Sequence, residues 1–208
     1  MTGDAYRSLR QAAAATHTVK KSVFIAQATP VDTEQAALSF IKSVKQQYPD
    51  AKHHVYAYVL RENHTVRYSD DREPQGTAGL PVLAAIQKQQ LFDCAVVVSR
   101  YFGGVLLGTG GLVHAYAAAA KEALSLAGTI TYDTYSYLHI VCTYPDYQKL
   151  LAPLSLPFVH RESESFAEQV ALLVSLPAAE EAAFLETLRE VTAARATVTL
   201  QKRSFDCR

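Results

Sequence analysis

The sequence has few cysteines and no long apolar run, and each shortage excludes a class of protein. Three cysteines among 208 residues, Cys94, Cys142 and Cys207, are too few and too scattered for a disulfide framework. No C-x-x-C or H-E-x-x-H spacing predicts a zinc site, and we expect neither a metal nor a cofactor. The longest uncharged apolar stretch near the glycine-rich segment, residues 101–113, is far shorter than the ~20 residues that span a bilayer.

A strong net charge is also missing. The chain carries 20 Lys and Arg against 20 Asp and Glu. Residues 1–128 hold 13 basic and 10 acidic side chains, and residues 129–208 hold 7 and 10. A dedicated nucleic-acid-binding protein is usually strongly basic, so this balance does not indicate one. Asp4, Arg7 and Arg10 precede any apolar run, and we therefore expect a cytoplasmic protein without a secretory signal or membrane segment.

Glycine is scarce except in two short segments. Seven of the nine glycines lie between Gly76 and Gly111. Glycine serves where the backbone needs a positive φ or must approach another group closely. This need is confined to residues 76–79 and 103–111, so these segments form either a functional surface or two demanding turns of the fold.

The second glycine-rich segment does not match the common nucleotide-binding motifs. Gly108 and Gly110 supply two glycines of a dinucleotide-binding G-x-G-x-x-G motif, but Val113 occupies the third position. Gly103 and Gly108 have the spacing of a Walker A loop, but Thr109 stands where that loop has lysine. A weaker inference remains, because backbone N–H groups beside a helix start can hold an anion without that lysine.

Apolar periodicity predicts an α+β protein of two domains, residues 1–128 and 129–208. In the first, strands are predicted at 19–28, 54–60, 65–69 and 95–99, with a polar loop at 70–79. Helices are predicted after an Asp32 N-cap, from Pro81, and after the second glycine-rich segment to about Ala127. Gly128 is predicted to end the helix and to mark the domain boundary. The second domain has the βαββαβ order of a ferredoxin-like fold.

Motifs in the first domain resemble those of the YigZ/IMPACT family, in the same order. They are Lys21-Ser22 with Phe24-Ile25-Ala26, Ala51-x-His53 with Tyr56-Ala57-Tyr58, Asp70-Asp71-x-Glu73-Pro74-x-Gly76-Thr77-Ala78-Gly79, and Val97-Val98-Ser99-Arg100-Tyr101-Phe102-Gly103-Gly104 followed by Leu107-Gly108-Thr109-Gly110-Gly111-Leu112-Val113 and Ala115-Tyr116. Together they cover most of residues 19–127. Residues 129–208 resemble the smaller second domain of the bacterial members.

This resemblance implies a fold and a field of activity. It implies a first domain like domain 2 of ribosomal protein S5 and a second like domain V of elongation factor G. Both folds recur in proteins that handle RNA or act on the ribosome, although a function argued from the fold is an analogy. Eukaryotic relatives regulate translation by competing for an activator of a stress kinase. The bacterial members have no established reaction, so no catalytic residue is assigned.

The chain departs from the family pattern at four positions near the predicted site. Arg72 replaces the usual glycine between Asp71 and Glu73, and Gln75 replaces a small hydroxyl residue. Leu80 and His114 stand where the family often has basic residues. The last two differences remove positive charge, whereas Arg72 adds it.

Each candidate side chain has a functional and a structural interpretation. Arg100 is predicted to hold a phosphate, or else to pair with an acidic residue of the 70–79 loop. Tyr101 and Phe102 are predicted to stack on bases or to pack in the fold. Those acids with His53 permit a metal site, but their spacing matches no dedicated metal loop. The predicted anion- or nucleic-acid-binding residues are Lys20, Lys21, His53, Arg72, Glu73, Gly76, Thr77, Gly79, Arg100, Tyr101, Phe102, Gly103, Gly104, Gly108, Thr109, Gly110 and Gly111.

Three functional hypotheses remain open at this point. The first is a non-enzymatic, translation-associated protein that binds RNA, the ribosome or a translation factor through the two glycine-rich segments. The second is a small-molecule enzyme, or a sensor of a phosphorylated ligand, that uses the same segments. The third is a protein-interaction module without an anion site.

Overall fold

The computed structural model describes residues 5–207, which form ten strands and five α-helices. The strands are β1 (Tyr6–Leu9), β2 (Ala13–Val19), β3 (Ser22–Pro30), β4 (His53–Val59), β5 (Val66–Ser69), β6 (Cys94–Tyr101), β7 (Thr129–Cys142), β8 (His160–Phe166), β9 (Val170–Pro177) and β10 (Thr197–Cys207). The helices are α1 (Glu34–Gln47), α2 (Gly79–Lys88), α3 (Gly108–Ala127), α4 (Tyr144–Leu150) and α5 (Glu181–Thr192). The predicted α+β class is confirmed. In the described part of the chain, no helix is long and apolar enough to cross a membrane.

The chain divides into two compact units at Thr131 and Tyr132. The N-terminal unit is a three-layer structure around an antiparallel sheet of order β2-β3-β6-β4-β5. Helix α1 packs on one face through Ala37, Ile41 and Val44. Helices α2 and α3 cover the other face and enclose the larger core.

The central strand β6 is buried on both sides because helices cover both faces of the sheet. Residues 94–100 are all buried. Alternate side chains enter different cores, with Val96 and Val98 facing α2 and α3 and Val97 facing α1. This explains why the strand is an uninterrupted apolar run rather than an alternating one. Its register continues to Arg100, whose side chain therefore lies on the α2 and α3 face.

Helix α1 begins one residue later than the sequence analysis predicted. The N-cap is Thr33, not Asp32. Thr33 is extended, and its side chain accepts a hydrogen bond from the Ala36 amide at 3.3 Å. The Asp32 prediction was wrong because Thr33, which directly precedes Glu34, already places a hydroxyl oxygen at the exposed amides of the first turn.

Helix α3 packs closely on the sheet through small residues. The face predicted from the sequence is buried, including Leu112, Ala119 and Ala123. Tyr116 is fully buried and meets the Phe24 ring edge to face, with ring centroids 5.0 Å apart. The helix ends at Gly128, whose φ of +65° is the conformation that favours glycine.

Strand β1 and most of β2, the hairpin partner of β3, were not predicted from the sequence. Strand β2 begins with three alanines, which favour helices, and it is a strand because it pairs with β3 along its whole length. In β1, the Phe92 amide donates to the Arg7 carbonyl oxygen and the Ser8 hydroxyl donates to the Asp93 carbonyl oxygen. Tertiary contacts therefore override local propensity in both strands.

The C-terminal unit has the predicted βαββαβ order. Its four strands are antiparallel: β7 pairs with β10 and with β9, and β9 pairs with β8. Numbered along this unit, the strand order is therefore 4-1-3-2. The core is formed by the sheet with α4 and α5, and it includes Ile140, Leu172, Phe184 and Leu188. This arrangement is the ferredoxin-like fold.

Candidate functional site

Three side chains stand in one row across the N-terminal sheet. The register places Arg100 of β6 opposite Phe24 of β3 and opposite His53 of β4. This row lies at the end of the apolar core that α3 covers. Arg100 is only 6% exposed, and its guanidinium carbon is 5.4 Å from the Phe24 ring centroid. The sheet thus holds a buried cation at the end of an apolar core, where water solvates it little.

Glu73 supplies the opposite charge from the 70–79 loop. Arg100 Nη1 donates to Glu73 Oε1 at 2.6 Å, and the Tyr116 hydroxyl donates to the same oxygen at 2.7 Å. Burial, followed by the hydrogen bond to Glu73, raises the pKa of Tyr116. His53 Nε2 lies 3.9 Å from Glu73 Oε1, which is too long for a hydrogen bond. The structure therefore places Arg100 in an ion pair with the loop acid Glu73.

The ion pair leaves one edge of Arg100 without a partner. Arg100 Nε is buried and has no hydrogen-bond partner, and no described residue accepts a hydrogen bond from Nη2. These two nitrogens form the side-on fork of a guanidinium, which matches two oxygens of a phosphate or carboxylate. A buried N–H without a partner costs stability, so this fork is the strongest sign of a missing ligand.

The two adjacent histidines lie on opposite faces of β4, as strand alternation predicts. His53 Nδ1 is 2.9 Å from the Asp71 carbonyl oxygen. His54 is buried, and its Nδ1 lies 2.9 Å from the Ser99 hydroxyl on the α1 side of the sheet. Burial lowers the pKa of His54. His53 alone faces the cluster around Arg100.

The first glycine-rich segment is organised by Asp70. Asp70 Oδ2 accepts from the Gly76 amide at 2.9 Å, and Oδ1 accepts from Ala78 at 3.1 Å and Gly79 at 2.7 Å. Asp70 therefore caps the start of α2 with its own carboxylate. Gly79 is needed because a Cβ there would meet the Ser69 carbonyl carbon at 2.8 Å. The amides of Gly76 and Gly79, two of the predicted binding residues, are thus already bonded to a carboxylate of the same chain.

Arg72 stands at a position that favours glycine. Its φ is +70°, and Asp71 before it has φ +41°. Glycine adopts this conformation without strain, as expected for the glycine that the resemblance implies at this position. Arg72 adopts the left-handed conformation at an energetic cost and contributes a cation to the same loop.

The second glycine-rich segment has a tight part and an open part. Gly103 presses on the β2–β3 hairpin, where a Cβ would overlap the Lys21 carbonyl group, and its amide donates to Ser22 Oγ at 3.1 Å. Gly104 has φ +82° and open space around it. Helix α3 then starts at Gly108, with no side-chain hydrogen bond at its N-cap and no acid in its first turn. Unlike α2, the 20-residue α3 presents its first amides without a carboxylate.

These elements enclose a pocket of about 690 Å³. It lies between the 70–79 loop, the Arg100 row and the start of α3. Residues predicted from the sequence that line it are His53, Arg72, Glu73, Arg100, Phe102, Gly108 and Thr109. Residues that the sequence analysis missed are Lys52, Pro74, Leu106, Leu107 and Leu112. The only available signal for Lys52 was its position next to His53.

The remaining predicted residues do not line the pocket. Tyr101 follows Arg100 in β6, so alternation directs its side chain to the opposite face from Arg100. Lys20 and Lys21 form the β2–β3 turn with positive φ angles. The other predicted residues outside the lining are Gly76, Thr77, Gly79, Gly103, Gly104, Gly110 and Gly111. Within residues 5–207, no group of three or more His, Cys, Asp or Glu side chains is arranged to hold a metal ion.

Comparison with known proteins identifies two family domains. Residues 20–124 match the Impact N-terminal domain, and residues 140–195 match a domain of unknown function (DUF1949). The first contains the Arg100 row, the Glu73 loop and the start of α3. The second lies within the ferredoxin-like unit.

Several relatives match over most of their length. The chain is 35% identical over 188 residues to the IMPACT family member YvyE of Bacillus subtilis, covering 90% of this chain and 87% of that protein. It is 36% identical over 178 residues to the IMPACT family member YigZ of Escherichia coli, covering 83% and 86%. A crystal structure of a hypothetical protein superposes with a TM-score of 0.60 at 31% identity, covering 97% of this chain and 98% of that one. The chain belongs to the IMPACT family.

Proposed function

We propose that this protein is a non-enzymatic, translation-associated RNA-binding protein whose N-terminal pocket holds a phosphate of single-stranded RNA. The observation that carries the proposal is the unpartnered Nε of Arg100, a buried donor in a pocket at the start of a long helix. Its fork with Nη2 fits two phosphate oxygens. The association with translation rests on the family, as an analogy between relatives.

Neighbouring groups support the binding of a phosphate. The first amides of α3 and the positive end of its dipole favour an anion at Gly108 and Thr109. Arg72 and Lys52 also line the pocket, and neither side chain forms an ion pair within the described residues. Three cations therefore face one acid, Glu73, so the pocket favours negative charge despite the neutral chain.

Phe102 gives the pocket a rim on which a base can stack. Its side chain is 49% exposed, and its ring centroid is 5.7 Å from the Arg100 guanidinium carbon. An aromatic face beside a phosphate-binding cation is the usual combination in proteins that bind single-stranded nucleic acids. This arrangement favours an unpaired strand over a duplex, whose bases are already stacked.

The test is RNA binding by the whole protein with Arg100→Lys. Lysine keeps the charge and can still pair with Glu73, but it cannot form the two-donor fork. We expect affinity for a single-stranded RNA to fall at least about tenfold, since hydrogen bonds between charged groups are worth about 1.5–3 kcal/mol. Arg67→Lys, on exposed β5 away from the pocket, is the matched control and should leave affinity unchanged.

Salt dependence gives an independent measure. The logarithm of the RNA association constant should fall with the logarithm of salt concentration by about 0.7 per phosphate contact. Arg100→Lys should weaken binding, and Arg72→Gln should reduce the slope by about one contact. RNA binding that is absent, or equal in the Arg100 and Arg67 variants, would overturn the proposal. Pull-down from lysate with and without nuclease then shows whether ribosomal partners are held through RNA.

The size and the apolar wall of the pocket favour a second candidate, a small phosphorylated ligand for which the protein is a sensor or an enzyme. A volume of about 690 Å³ is within the usual range of small-molecule sites, and Leu106, Leu107 and Leu112 form an apolar wall. A thermal-shift screen with nucleotides and sugar phosphates tests it. A compound that stabilises the native protein but not Arg100→Lys would favour this candidate.

A further inference from the structure

The pocket contains hydrogen-bond acceptors beside its cations. Both hydrogen bonds to Glu73 end on Oε1, from Arg100 and from Tyr116. No described residue donates to Oε2, yet Glu73 lines the pocket. A carboxylate oxygen can accept two hydrogen bonds, so Oε2 is an acceptor available to a ligand.

His53 supplies a second acceptor. Its Nδ1 lies 2.9 Å from the Asp71 carbonyl oxygen, which can only accept, so Nδ1 carries the proton. In a neutral imidazole this leaves the lone pair on Nε2. Nε2 lies 3.9 Å from Glu73 Oε1, and His53 lines the same pocket. The Asp71 contact therefore fixes which nitrogen can accept from a ligand.

A simple anion does not satisfy this set of groups. The Arg100 fork and the α3 amides are donors that suit phosphate oxygens, but those oxygens would also face the Glu73 carboxylate and the His53 lone pair. Like charges and two adjacent lone pairs repel. The complementary ligand carries an O–H or N–H donor next to its phosphate.

We propose that the pocket selects ribose over deoxyribose, with Glu73 Oε2 accepting the one hydrogen bond that an RNA 2′-hydroxyl can donate, beside the His53 Nε2 lone pair, while Arg100 binds the adjacent phosphate. The inference rests on the proposed function. The 2′-hydroxyl is both donor and acceptor, it lies on the ribose carbon next to the one that bears the 3′-phosphate, and its presence distinguishes RNA from DNA. One ribonucleotide thus presents the donor and the anion together.

The test compares three single strands of one sequence with the whole protein: RNA, DNA and 2′-O-methyl RNA. The methyl ether keeps the oxygen and the charge but removes the hydrogen. We expect RNA to bind about tenfold more tightly than either of the others, the usual effect of a hydrogen bond to a charged acceptor. Glu73→Gln, which keeps the shape of the side chain, should reduce this preference. If that variant fails to fold, the three-strand comparison with the unmodified protein decides alone.

The possible outcomes distinguish failure of this inference from failure of the proposed function. Equal affinity for all three strands, reduced equally by Arg100→Lys, would overturn ribose selection and leave phosphate binding intact. Equal affinity for RNA and 2′-O-methyl RNA, with weaker DNA binding, would attribute the preference to sugar conformation and also overturn the inference. Binding to none of the strands would overturn the proposed function itself.

Discussion

Arg100 Nη1 lies 2.6 Å from Glu73 Oε1, and both side chains are almost fully buried. Breaking such a pair from one side leaves an uncompensated charge in a poorly solvated place. We expect Arg100→Met to lower the free energy of unfolding by about 3–5 kcal/mol. Urea unfolding monitored by circular dichroism measures this.

The double variant Arg100→Met with Glu73→Gln is the matched comparison. It removes both charges, and the glutamine oxygen can still accept from Tyr116. Replacing both members of a buried pair usually costs less than replacing one. The double variant should therefore be more stable than Arg100→Met alone. A double variant that is less stable than Arg100→Met would contradict this explanation, because the unpaired Glu73 charge would then not be what destabilises the single variant.

Asp70→Ala removes the carboxylate that receives three backbone amides at the start of α2. Loss of an N-cap acid costs about 0.5–2 kcal/mol, and we expect the upper part of this range because three donors lose their acceptor. Asp50→Ala, an exposed position after α1, is the control and should change stability little. Equal losses in the two variants would contradict the capping role.

Gly103→Ala should destabilise the protein, whereas Gly110→Ala should not. A Cβ at Gly103 would overlap the Lys21 backbone, and relieving this overlap would displace the β2–β3 turn. A Cβ at Gly110 meets nothing within 4 Å, and alanine is favoured over glycine in a helix by up to about 1 kcal/mol. Thermal unfolding should show a lower Tm for the first and an unchanged or higher Tm for the second.

Arg72→Gly should separate the effect of backbone strain on stability from the effect of the Arg72 charge on RNA binding. At φ +70° glycine is unstrained, so the free energy of unfolding should rise by up to about 1 kcal/mol. The same change removes a cation from the pocket and should weaken RNA binding. A variant with both lower stability and unchanged RNA affinity would contradict both parts of this prediction.

Stability of the C-terminal unit should fall in acid through Asp146. Hydrogen bonds from Arg195, opposed by burial and helped by Thr143, lower the pKa of Asp146 from 3.8 to about 2. Because the folded-state pKa is depressed, this stabilisation is complete above about pH 4 and is lost as the pH falls towards 2. The pH dependence of unfolding should be flatter in Asp146→Asn than in Asp50→Asn.

Helices and strands are predicted well from the sequence where apolar periodicity agrees with the residues that begin and end each element. The βαββαβ order of the second unit and the buried face of α3 are confirmed, because both follow from apolar spacing that packing then satisfies. Strands β1 and β2 were missed because partners elsewhere in the chain hold them. The N-cap of α1 was misplaced by one residue because two neighbouring side chains could both cap.

The site was harder to predict than the fold. Arg100 and Glu73 were both predicted as site residues, but the sequence left open whether they meet, since they are 27 positions apart and their contact depends on where the 70–79 loop lies in the folded structure. The sequence predicted the same role for both glycine-rich segments. In the structure, the Asp70 carboxylate accepts hydrogen bonds from the amides of the first segment, whereas the first amides of α3, in the second segment, have no carboxylate beside them among the described residues. That difference depends on where one carboxylate points, which no spacing reveals.

The consecutive histidines provide two spectroscopic reporters that differ in environment and adjoin in sequence. His53 borders the pocket, and His54 is enclosed on the other face with Ser99. In a nuclear magnetic resonance titration, a ligand that enters the pocket should move the ring signals of His53 and leave those of His54 in place. A denaturing additive would disturb both, so one labelled sample distinguishes occupancy from unfolding.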